Sequence, residues 1–262
     1  MRMRTLKKAV HMQGCGSPET AWKRKETNGH QEGNLLSSYW KILIKITGKE
    51  RLRKMAERKT YGWETGVRKV VPYVPGEQPK RKDIIKLNTN ECPYPPSPEI
   101  QKLAAEFEIE QLRRYPDPDA TLLTNSIAEN LGVNSDQVFV GVGSDDVLAM
   151  AFLTFFNTDK PILFPDITYS FYDVWANLFR IPYQCKALDE EFRIRKEDYF
   201  VPNGGIVIAN PNAPTGVELE QNVIEEILAA NPDSVVIVDE AYVDFGAESA
   251  LPLLKKYDNL LV

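Results

Sequence analysis

Residues 206–242 read IVIANPNAPTGVELEQNVIEEILAANPDSVVIVDEAY. Ile206–Ala209 is a short apolar run that leads into a proline-rich loop, and Val235–Val238 is a second run of four apolar residues. Between them, Glu218–Ala230 has helical periodicity, and the Asn-Pro pair that follows it is a typical helix stop. Continuous apolar strands joined by a helix predict a parallel sheet, because parallel strands need a crossover connection and are usually buried on both faces.

The same alternation of strand and helix signals extends in both directions from this segment. Helical patterns run from Ser144 to Phe156, over Thr168–Phe179 and over Ser249–Tyr257, and apolar runs typical of strands cover Val138–Val142, Pro161–Phe164 and Leu260–Val262. The sequence therefore predicts an α/β fold with three αβα layers around a mostly parallel sheet.

The charge of the chain is divided unevenly along its length. Residues 1–54 contain 13 Lys and Arg against 4 Asp and Glu, whereas residues 55–262 contain 19 against 33, and the net charge is −5. An acidic body is a poor nucleic-acid binder, since attraction to phosphates needs clustered basic side chains. No apolar run approaches the roughly 18 residues that a membrane helix needs. The sequence therefore predicts neither a nucleic-acid partner nor a membrane partner.

Histidine and cysteine usage excludes several kinds of catalytic site. The two histidines, His11 and His30, both lie in the basic N-terminal segment, so residues 55–262 contain none. This excludes a Ser-His-Asp triad, a Cys-His dyad and a histidine-rich metal site in the body of the chain. The three cysteines are far apart and show no metal-ligand spacing, which fits a reducing cytoplasm and predicts no metal site.

The first 54 residues do not share the patterns of the rest. Residues 14–38 are polar, rich in Gly, Ser and Asn, and have neither helical nor strand periodicity. Acidic residues within them count against an organelle transit peptide. We expect residues 1–54 to form a basic, disordered leader outside the fold, with Met55 as a candidate start of the natural protein. The alternative for this segment is contact with nucleic acid or a membrane.

Three polar loops follow predicted strands, at the positions where ligands bind in open α/β sheets. The first is GVGSDD at residues 141–146, a glycine turn that leads into a helix. A helix N-terminus can bind phosphate through its backbone N–H groups. The motif resembles half of a dinucleotide fingerprint, but Asp146 stands where the third glycine belongs. This motif alone leaves open an ordinary strand-to-helix turn, a phosphate site and a nucleotide-binding module.

The other two loops are NPNAPTG at residues 210–216 and DEAY at residues 239–242. Prolines and a glycine restrict the former, so its asparagines, among them Asn212, either direct amides into a cleft or form a plain turn. Asp239 ends a buried strand, where a carboxylate needs a partner. That partner is a cationic ring nitrogen or a local Lys or Arg. Tyr242 either brings its hydroxyl to the same point or packs as an aromatic side chain.

Taken together, the motifs resemble the cofactor site of fold-type I aminotransferases. Gly-Ser-Asp, Tyr169, Asn-Pro-x-x-Pro-Thr-Gly and Asp-Glu-Ala-Tyr occur in the order found in that family. The segments VPYVPG at 71–76, LNTNECPY at 87–94 and RYPD at 114–117 are similar to the N-terminal pattern of histidinol-phosphate aminotransferases. The resemblance covers about residues 60–262, nearly all of the chain outside the leader.

The resemblance implies pyridoxal 5′-phosphate as the cofactor, held by residues of all three loops. The backbone amides of Ser144 and Asp145 bind the cofactor phosphate, and Tyr169 stacks on the pyridine ring. Asp239 bonds the protonated ring nitrogen, so that the ring accepts electrons when the substrate Cα–H is removed.

Further residues are assigned by the same resemblance to the ring hydroxyl, the dimer and the substrate. Tyr242 and Asn212 bond the ring O3′, and Asp239 and Tyr242 are therefore the catalytic candidates in this chain. Tyr115 reaches the phosphate held by the partner in a homodimer. Tyr73 and Asn90 line the substrate side. The family's amide usually lies directly before Pro-Thr-Gly, where this chain has an alanine, so the role falls to Asn212.

The implied reaction is amino transfer from histidinol phosphate to 2-oxoglutarate, giving imidazole acetol phosphate and glutamate in histidine biosynthesis. We expect residues 55–115 to form the N-terminal arm and part of the small domain, and residues 116–262 to form the cofactor-binding large domain. The family's Schiff-base lysine falls past Val262, so the large domain is expected to be incomplete and the chain by itself inactive. Lys255 and Lys256 are expected to be ordinary exposed lysines.

Other functions remain open at the level of sequence. Threonine-phosphate decarboxylases and aromatic aminotransferases share these motifs, and part of what separates their substrates lies outside the matched residues. A non-catalytic chain that holds the cofactor weakly, or only dimerises, is the alternative from a different class.

Overall fold

The computed structural model describes residues 62, 66–71, 77, 81 and 83–262. The chain divides into two compact units, residues 1–70 and 71–262, and the elements given below belong to the second unit. The predicted leader and the candidate start at Met55 lie outside the described residues. The domain boundaries predicted at 54/55 and 115/116 stay predictions.

Helices and strands of the second unit alternate from residue 144 onward. The helices are α1 (Pro98–Glu106), α2 (Thr121–Leu131), α3 (Ser144–Phe155), α4 (Phe171–Phe179) and α5 (Gln221–Ala230). The strands are β1 (Ile162–Pro165), β2 (Tyr183–Lys186), β3 (Gly205–Ala209), β4 (Val236–Asp239) and β5 (Leu260–Leu261). Short 3-10 turns cover Ile109–Arg113, Ser135–Gln137, Lys196–Tyr199, Val243–Phe245 and Leu251–Lys255. None of the described helices is long and apolar enough to cross a membrane.

The five strands form one parallel sheet in the order β2-β1-β3-β4-β5. The register between β3 and β4 runs from Ile206 opposite Val236 to Ala209 opposite Asp239. After β1 the chain moves to one side to form β2 and then returns to the other side to form β3. The strand order therefore reverses between β1 and β3, which is where open α/β sheets place their ligands.

The two faces of the sheet bury different side chains, because successive strand residues point in opposite directions. On one face, Ile206, Val236 and their neighbours form a core with residues of α5 and of the 251–255 turn. On the other face, Phe164 contacts Tyr172 of α4, with ring centroids 5.9 Å apart, and Tyr172 lies 6.3 Å from Phe152 of α3. Helices thus cover both faces, and the predicted three-layer arrangement is confirmed.

Two local contacts show how the sequence sets these elements. Helix α5 ends at Asn231, whose side chain donates to the carbonyls of Ile227 and Tyr199, so the predicted Asn-Pro stop is confirmed. At the start of β3, a Cβ on Gly205 would lie 2.2 Å from Cε1 of Phe156. The backbone at Gly205 also has a φ of +149°. Glycine is therefore required there for two independent reasons.

Several boundaries predicted from the sequence differ from the structure. The apolar run Val138–Val142 is not paired with any described strand, and Phe139 and Val142 are 67% and 92% exposed. The prediction of a strand there was wrong: a strand needs a hydrogen-bonded neighbour, and none of the described strands pairs with this run. Strand β2 was missed since its residues YQCK are mostly polar and it lies at the sheet edge.

Two predicted helices are shorter than expected. The helix predicted over Thr168–Phe179 begins at Phe171, because the residues before it form a loop that is bound to Asn212. The helix predicted over Ser249–Tyr257 is a 3-10 turn over Leu251–Lys255, with a proline in its first turn.

Candidate functional site

The loops that follow β1, β3 and β4 lie at the carboxyl edge of three adjacent strands. A side-chain bridge joins the first two of these loops: the hydroxyl of Thr168 donates to Oδ1 of Asn212 at 2.8 Å. The amide of Asn212 donates to the carbonyl of Ile167 at 2.9 Å and to Oγ1 of Thr215 at 3.0 Å. These contacts cross the point where the strand order reverses, and they join the predicted NPNAPTG loop to the segment that leads to Tyr169.

Asn212 is a structural link in this arrangement. Its side chain is buried, and both amide hydrogens are used within the protein. Only Oδ1, which already accepts from Thr168, has a lone pair left. The predicted bond from Asn212 to the cofactor O3′ stays a prediction, and it would require one of these amide hydrogens to change partner.

Asp239 ends β4 beside this bridge and has two neutral hydrogen-bond donors. Oδ2 accepts from the hydroxyl of Tyr172 at 2.7 Å, and Oδ1 accepts from the backbone N–H of Ala241 at 3.1 Å. Within the described part of the chain, the carboxylate makes no ion pair with a Lys or Arg. The local salt bridge considered from the sequence is therefore not formed, and the negative charge of Asp239 is held without being neutralised.

Tyr172 was missed in the sequence analysis. It belongs to α4, where it lies three residues after Tyr169, and its side chain is fully buried between the sheet and α3. The signal available was its place among apolar residues, since a buried tyrosine hydroxyl needs a partner. Burial raises the pKa of Tyr172 well above its usual 10.0, and the charge of Asp239 raises this pKa further. The hydroxyl therefore keeps its proton and remains a donor.

The N-terminus of α3 supplies the second half of the site. Gly143, with a φ of +81°, is the N-cap, and Ser144 is the first helical residue. Asp146 turns back and accepts from the backbone N–H of Val142 at 3.0 Å. The N–H groups of Ser144 and Asp145 lie in the first turn, where no carbonyl inside the helix can accept from them.

Tyr169 connects the two halves. Its hydroxyl donates to Oδ1 of Asp145 at 2.8 Å, and its ring lies edge-on to Tyr172 with centroids 5.7 Å apart. Asp145, Tyr169, Tyr172 and Asp239 thus form a continuous series of contacts from the start of α3 to the end of β4. Three of the four were expected at the site from the sequence.

The remaining predicted site residues are not joined to this series. The ring of Tyr242 packs 6.2 Å from that of Phe245, and among the described residues its hydroxyl has no hydrogen-bond partner. Tyr115 is fully exposed. Asn90 is exposed, in a turn with a φ of +52°. Tyr73 lies outside the described residues.

Glu240 is a further carboxylate that the sequence analysis did not single out. It accepts from the hydroxyl of Ser249 at 2.7 Å and from the backbone N–H of Ala250 at 2.5 Å. Partial burial raises the pKa of Glu240. Glu240 therefore anchors the loop that leads to the 251–255 turn.

A groove of about 350 Å³ lies along residues 192–197 and 217–223, next to the loop that follows β3. It includes Asn212 in its lining but none of Asp145, Tyr169 or Asp239. The cations along it are paired with carboxylates, as Arg193 is with Asp189 at 3.0 Å. No group of metal-ligating side chains occurs among residues 83–262 or the shorter described ranges.

This donor set fits the cofactor implied by the sequence. The first turn of α3 has backbone N–H groups available for a phosphate. Asp239 has only neutral partners, so its charge is available to a cationic ring nitrogen. Tyr169 provides an aromatic face between the N-terminus of α3 and Asp239. The contacts of Asn212 fit less well, for the reason given above.

Comparison with known proteins agrees with this description. Residues 82–262 match the family model described as "Aminotransferase class I and II". The chain is 54% identical over 200 residues to the histidinol-phosphate aminotransferase of Lactococcus lactis subsp. cremoris, a match that covers 76% of this chain and 56% of that protein. The chain thus spans little more than half the length of the curated relatives it matches.

Solved structures show a similar fold. The histidinol-phosphate aminotransferase from Clostridium acetobutylicum superposes with a TM-score of 0.55 at 25% identity, over 61% of this chain and 49% of that chain. The histidinol-phosphate aminotransferase from Sinorhizobium meliloti, solved in complex with pyridoxal-5′-phosphate, superposes with a TM-score of 0.57 at 18% identity. The latter match covers 63% of this chain and 47% of the other, and it concerns the fold alone.

Proposed function

The chain belongs to the class I and II aminotransferase family, and on that basis we propose that it takes part in pyridoxal-phosphate-dependent amino transfer from histidinol phosphate to 2-oxoglutarate. The observation that carries the proposal is the Asp239–Tyr172 pair at the end of β4, in a chain 54% identical to a histidinol-phosphate aminotransferase. A carboxylate that has only neutral donors is suited to bind a cationic pyridine nitrogen.

The proposed binding of the cofactor uses both halves of the site. The N–H groups of Ser144 and Asp145 hold the phosphate, where the positive end of the α3 dipole favours an anion. Tyr169 covers one face of the ring, and its bond to Asp145 fixes the tyrosine's own position. Asp239 keeps the ring nitrogen protonated. When bound, the cofactor supplies an electron sink for the removal of the substrate Cα proton.

The other assignments are also proposals. Tyr242 and Asn212 bond the ring O3′, and Tyr73 and Asn90 face the substrate. The exposed side chain of Tyr115 reaches the site of a partner subunit in a homodimer. A cytoplasmic location for this histidine-biosynthesis activity follows from the same family membership.

The test is an amino-transfer assay with histidinol phosphate and 2-oxoglutarate. It is run on the chain alone and on the chain joined at Val262 to the segment with which the Lactococcus relative continues. We expect turnover in the joined protein. Failure of the joined, folded protein to bind pyridoxal phosphate would refute the proposal.

Asp239 provides the sharpest variant in that assay. Asp239→Ala in the joined protein should nearly abolish turnover, because the ring nitrogen loses its anionic partner and each 1.4 kcal/mol of lost transition-state stabilisation costs about tenfold in rate. Asp239→Glu should retain more activity, since it keeps the charge. Near-normal turnover of Asp239→Ala would show that the carboxylate has another task.

Two alternative activities are separated by the products of the same assay. A threonine-phosphate decarboxylase would release carbon dioxide from threonine phosphate, and an aromatic aminotransferase would prefer phenylalanine or tyrosine as the amino donor. A chain that binds the cofactor but turns over none of these substrates when joined would be non-catalytic.

A further inference from the structure

The carboxylate of Asp239 is held by a side chain to which no role has been assigned. Tyr172 donates to Oδ2 of Asp239 at 2.7 Å, whereas the backbone N–H of Ala241 donates to Oδ1 at 3.1 Å. The Ala241 contact is local, since it spans two residues. The Tyr172 contact spans 67 residues and joins α4 to the end of β4.

The position of Tyr172 is fixed by packing that does not depend on its hydroxyl. Its ring contacts Phe152, Phe164 and Tyr169, at centroid distances of 6.3, 5.9 and 5.7 Å. A buried, unbranched aromatic ring in such a cluster has little rotational freedom. The packing of the ring therefore fixes the position of the hydroxyl, which lies within hydrogen-bond distance of Oδ2 of Asp239.

A neutral donor has a different effect on the carboxylate from a cationic one. An Arg or Lys in this position would orient Asp239 but would also cancel its charge, leaving little attraction for a second cation. A phenol orients the carboxylate and leaves its net charge in place. This property distinguishes Tyr172 from the ion-pair partner that a buried aspartate often has.

We propose that Tyr172 is a positioning residue for the cofactor: its hydroxyl holds the Asp239 carboxylate in one orientation, ready for the protonated ring nitrogen. The proposal rests on the proposed function, because it requires a pyridinium partner for Asp239. It concerns a residue that acts through Asp239 and does not itself touch the cofactor nitrogen.

The experiment uses the 262-residue chain and pyridoxamine 5′-phosphate labelled with ¹⁵N in the ring. This form of the cofactor needs no lysine for binding. The ¹⁵N chemical shift reports the protonation of the ring nitrogen at a pH above its pKa in free solution. In the unmodified chain we expect bound, protonated nitrogen. In Tyr172→Phe we expect a reduced protonated fraction and about three- to tenfold weaker binding, as for one lost hydrogen bond.

The matched control is Tyr199→Phe. Tyr199 is also buried, but it belongs to the core on the other face of the sheet, and its hydroxyl has no partner among the described residues. This variant should leave both the ¹⁵N shift and the affinity unchanged. A purely structural role of Tyr172 would alter stability in its variant but would not change the protonation of bound cofactor.

The outcomes separate the two proposals. Absence of pyridoxamine phosphate binding by both the 262-residue chain and the joined protein would overturn the proposed function and this inference with it. If only the joined protein binds the cofactor, the same comparison of variants is made in the joined protein. Binding with a protonated nitrogen that is identical in the unmodified chain and in Tyr172→Phe would overturn only the role of Tyr172. If Tyr172→Phe does not fold, the ¹³Cζ resonance of Tyr172 in the unmodified chain decides. It should shift on saturation with the cofactor, and an unchanged resonance would overturn the proposal.

Discussion

Replacing each of two buried tyrosines by phenylalanine should have opposite effects on stability. Tyr172 and Tyr199 are both less than 2% exposed, and the same oxygen atom is removed in each case. The hydroxyl of Tyr172 donates to the Asp239 carboxylate at 2.7 Å, whereas that of Tyr199 lacks a partner among the described residues. The two variants therefore differ in what the lost oxygen was bonded to, and hardly at all in volume.

The magnitudes follow from these contacts. A hydrogen bond to a charged group contributes about 1.5–3 kcal/mol. Asp239 is partly exposed, so water can replace the lost donor in part, and we expect a loss of about 1.5–2 kcal/mol for Tyr172→Phe. In a unit of this size that corresponds to a fall in Tm of about 3–8 °C. Tyr199→Phe removes an unsatisfied polar atom, and its Tm should be equal to or above that of the unmodified chain.

The assay is urea and thermal unfolding followed by circular dichroism at neutral pH and again above pH 10.0, the usual pKa of tyrosine. The folded state holds the pKa of Tyr172 well above that value, so above pH 10.0 the unfolded chain loses the proton first. Stability then falls as pH rises, and the advantage of the unmodified chain over Tyr172→Phe should shrink. Equal stability of Tyr172→Phe and Tyr199→Phe at neutral pH would refute the reasoning.

Three further outcomes are expected. The raised pKa of Glu240 means that the folded state binds the proton of this carboxyl more tightly than the unfolded state does. The stability of the unmodified chain relative to Glu240→Gln should therefore fall as pH rises above 4.5. Parallel curves for the two proteins in a pH series of unfolding would contradict this. Gly205→Ala should destabilise the fold by at least about 2 kcal/mol in urea unfolding. The Cβ of the alanine would overlap the ring of Phe156, and the backbone at this position has a positive φ. A smaller loss of stability would mean that the ring can move. Borohydride treatment with pyridoxal phosphate should leave no pyridoxyl group on Lys255 or Lys256. The turn that leads to these lysines packs on the sheet face opposite the aromatic cluster, and Lys256 is ion-paired with Glu225. A labelled peptide in the mass spectrum would contradict this prediction.

The sequence alone determined the buried strands of the sheet and the order of the loops that follow them. Strands β1, β3 and β4 are continuous apolar runs, which is what burial on both faces requires of each strand separately. The polar residues that follow them, such as Asn212 and Asp239, stand out because a polar side chain at the end of a buried strand needs a partner. These features are local, so one run of residues is enough to recognise them.

The tertiary structure decided which side chains meet. Tyr169 and Asp145 are 24 residues apart, and Tyr172 and Asp239 are 67 apart, and neither pairing has a local signature. The apolar run Val138–Val142 depends on distant segments in the same way: its composition is that of a strand, but no described strand pairs with it. Hydrogen-bond partners and strand neighbours depend on how distant segments pack against one another. That packing is a property of the whole sheet, and no single segment of sequence contains the information.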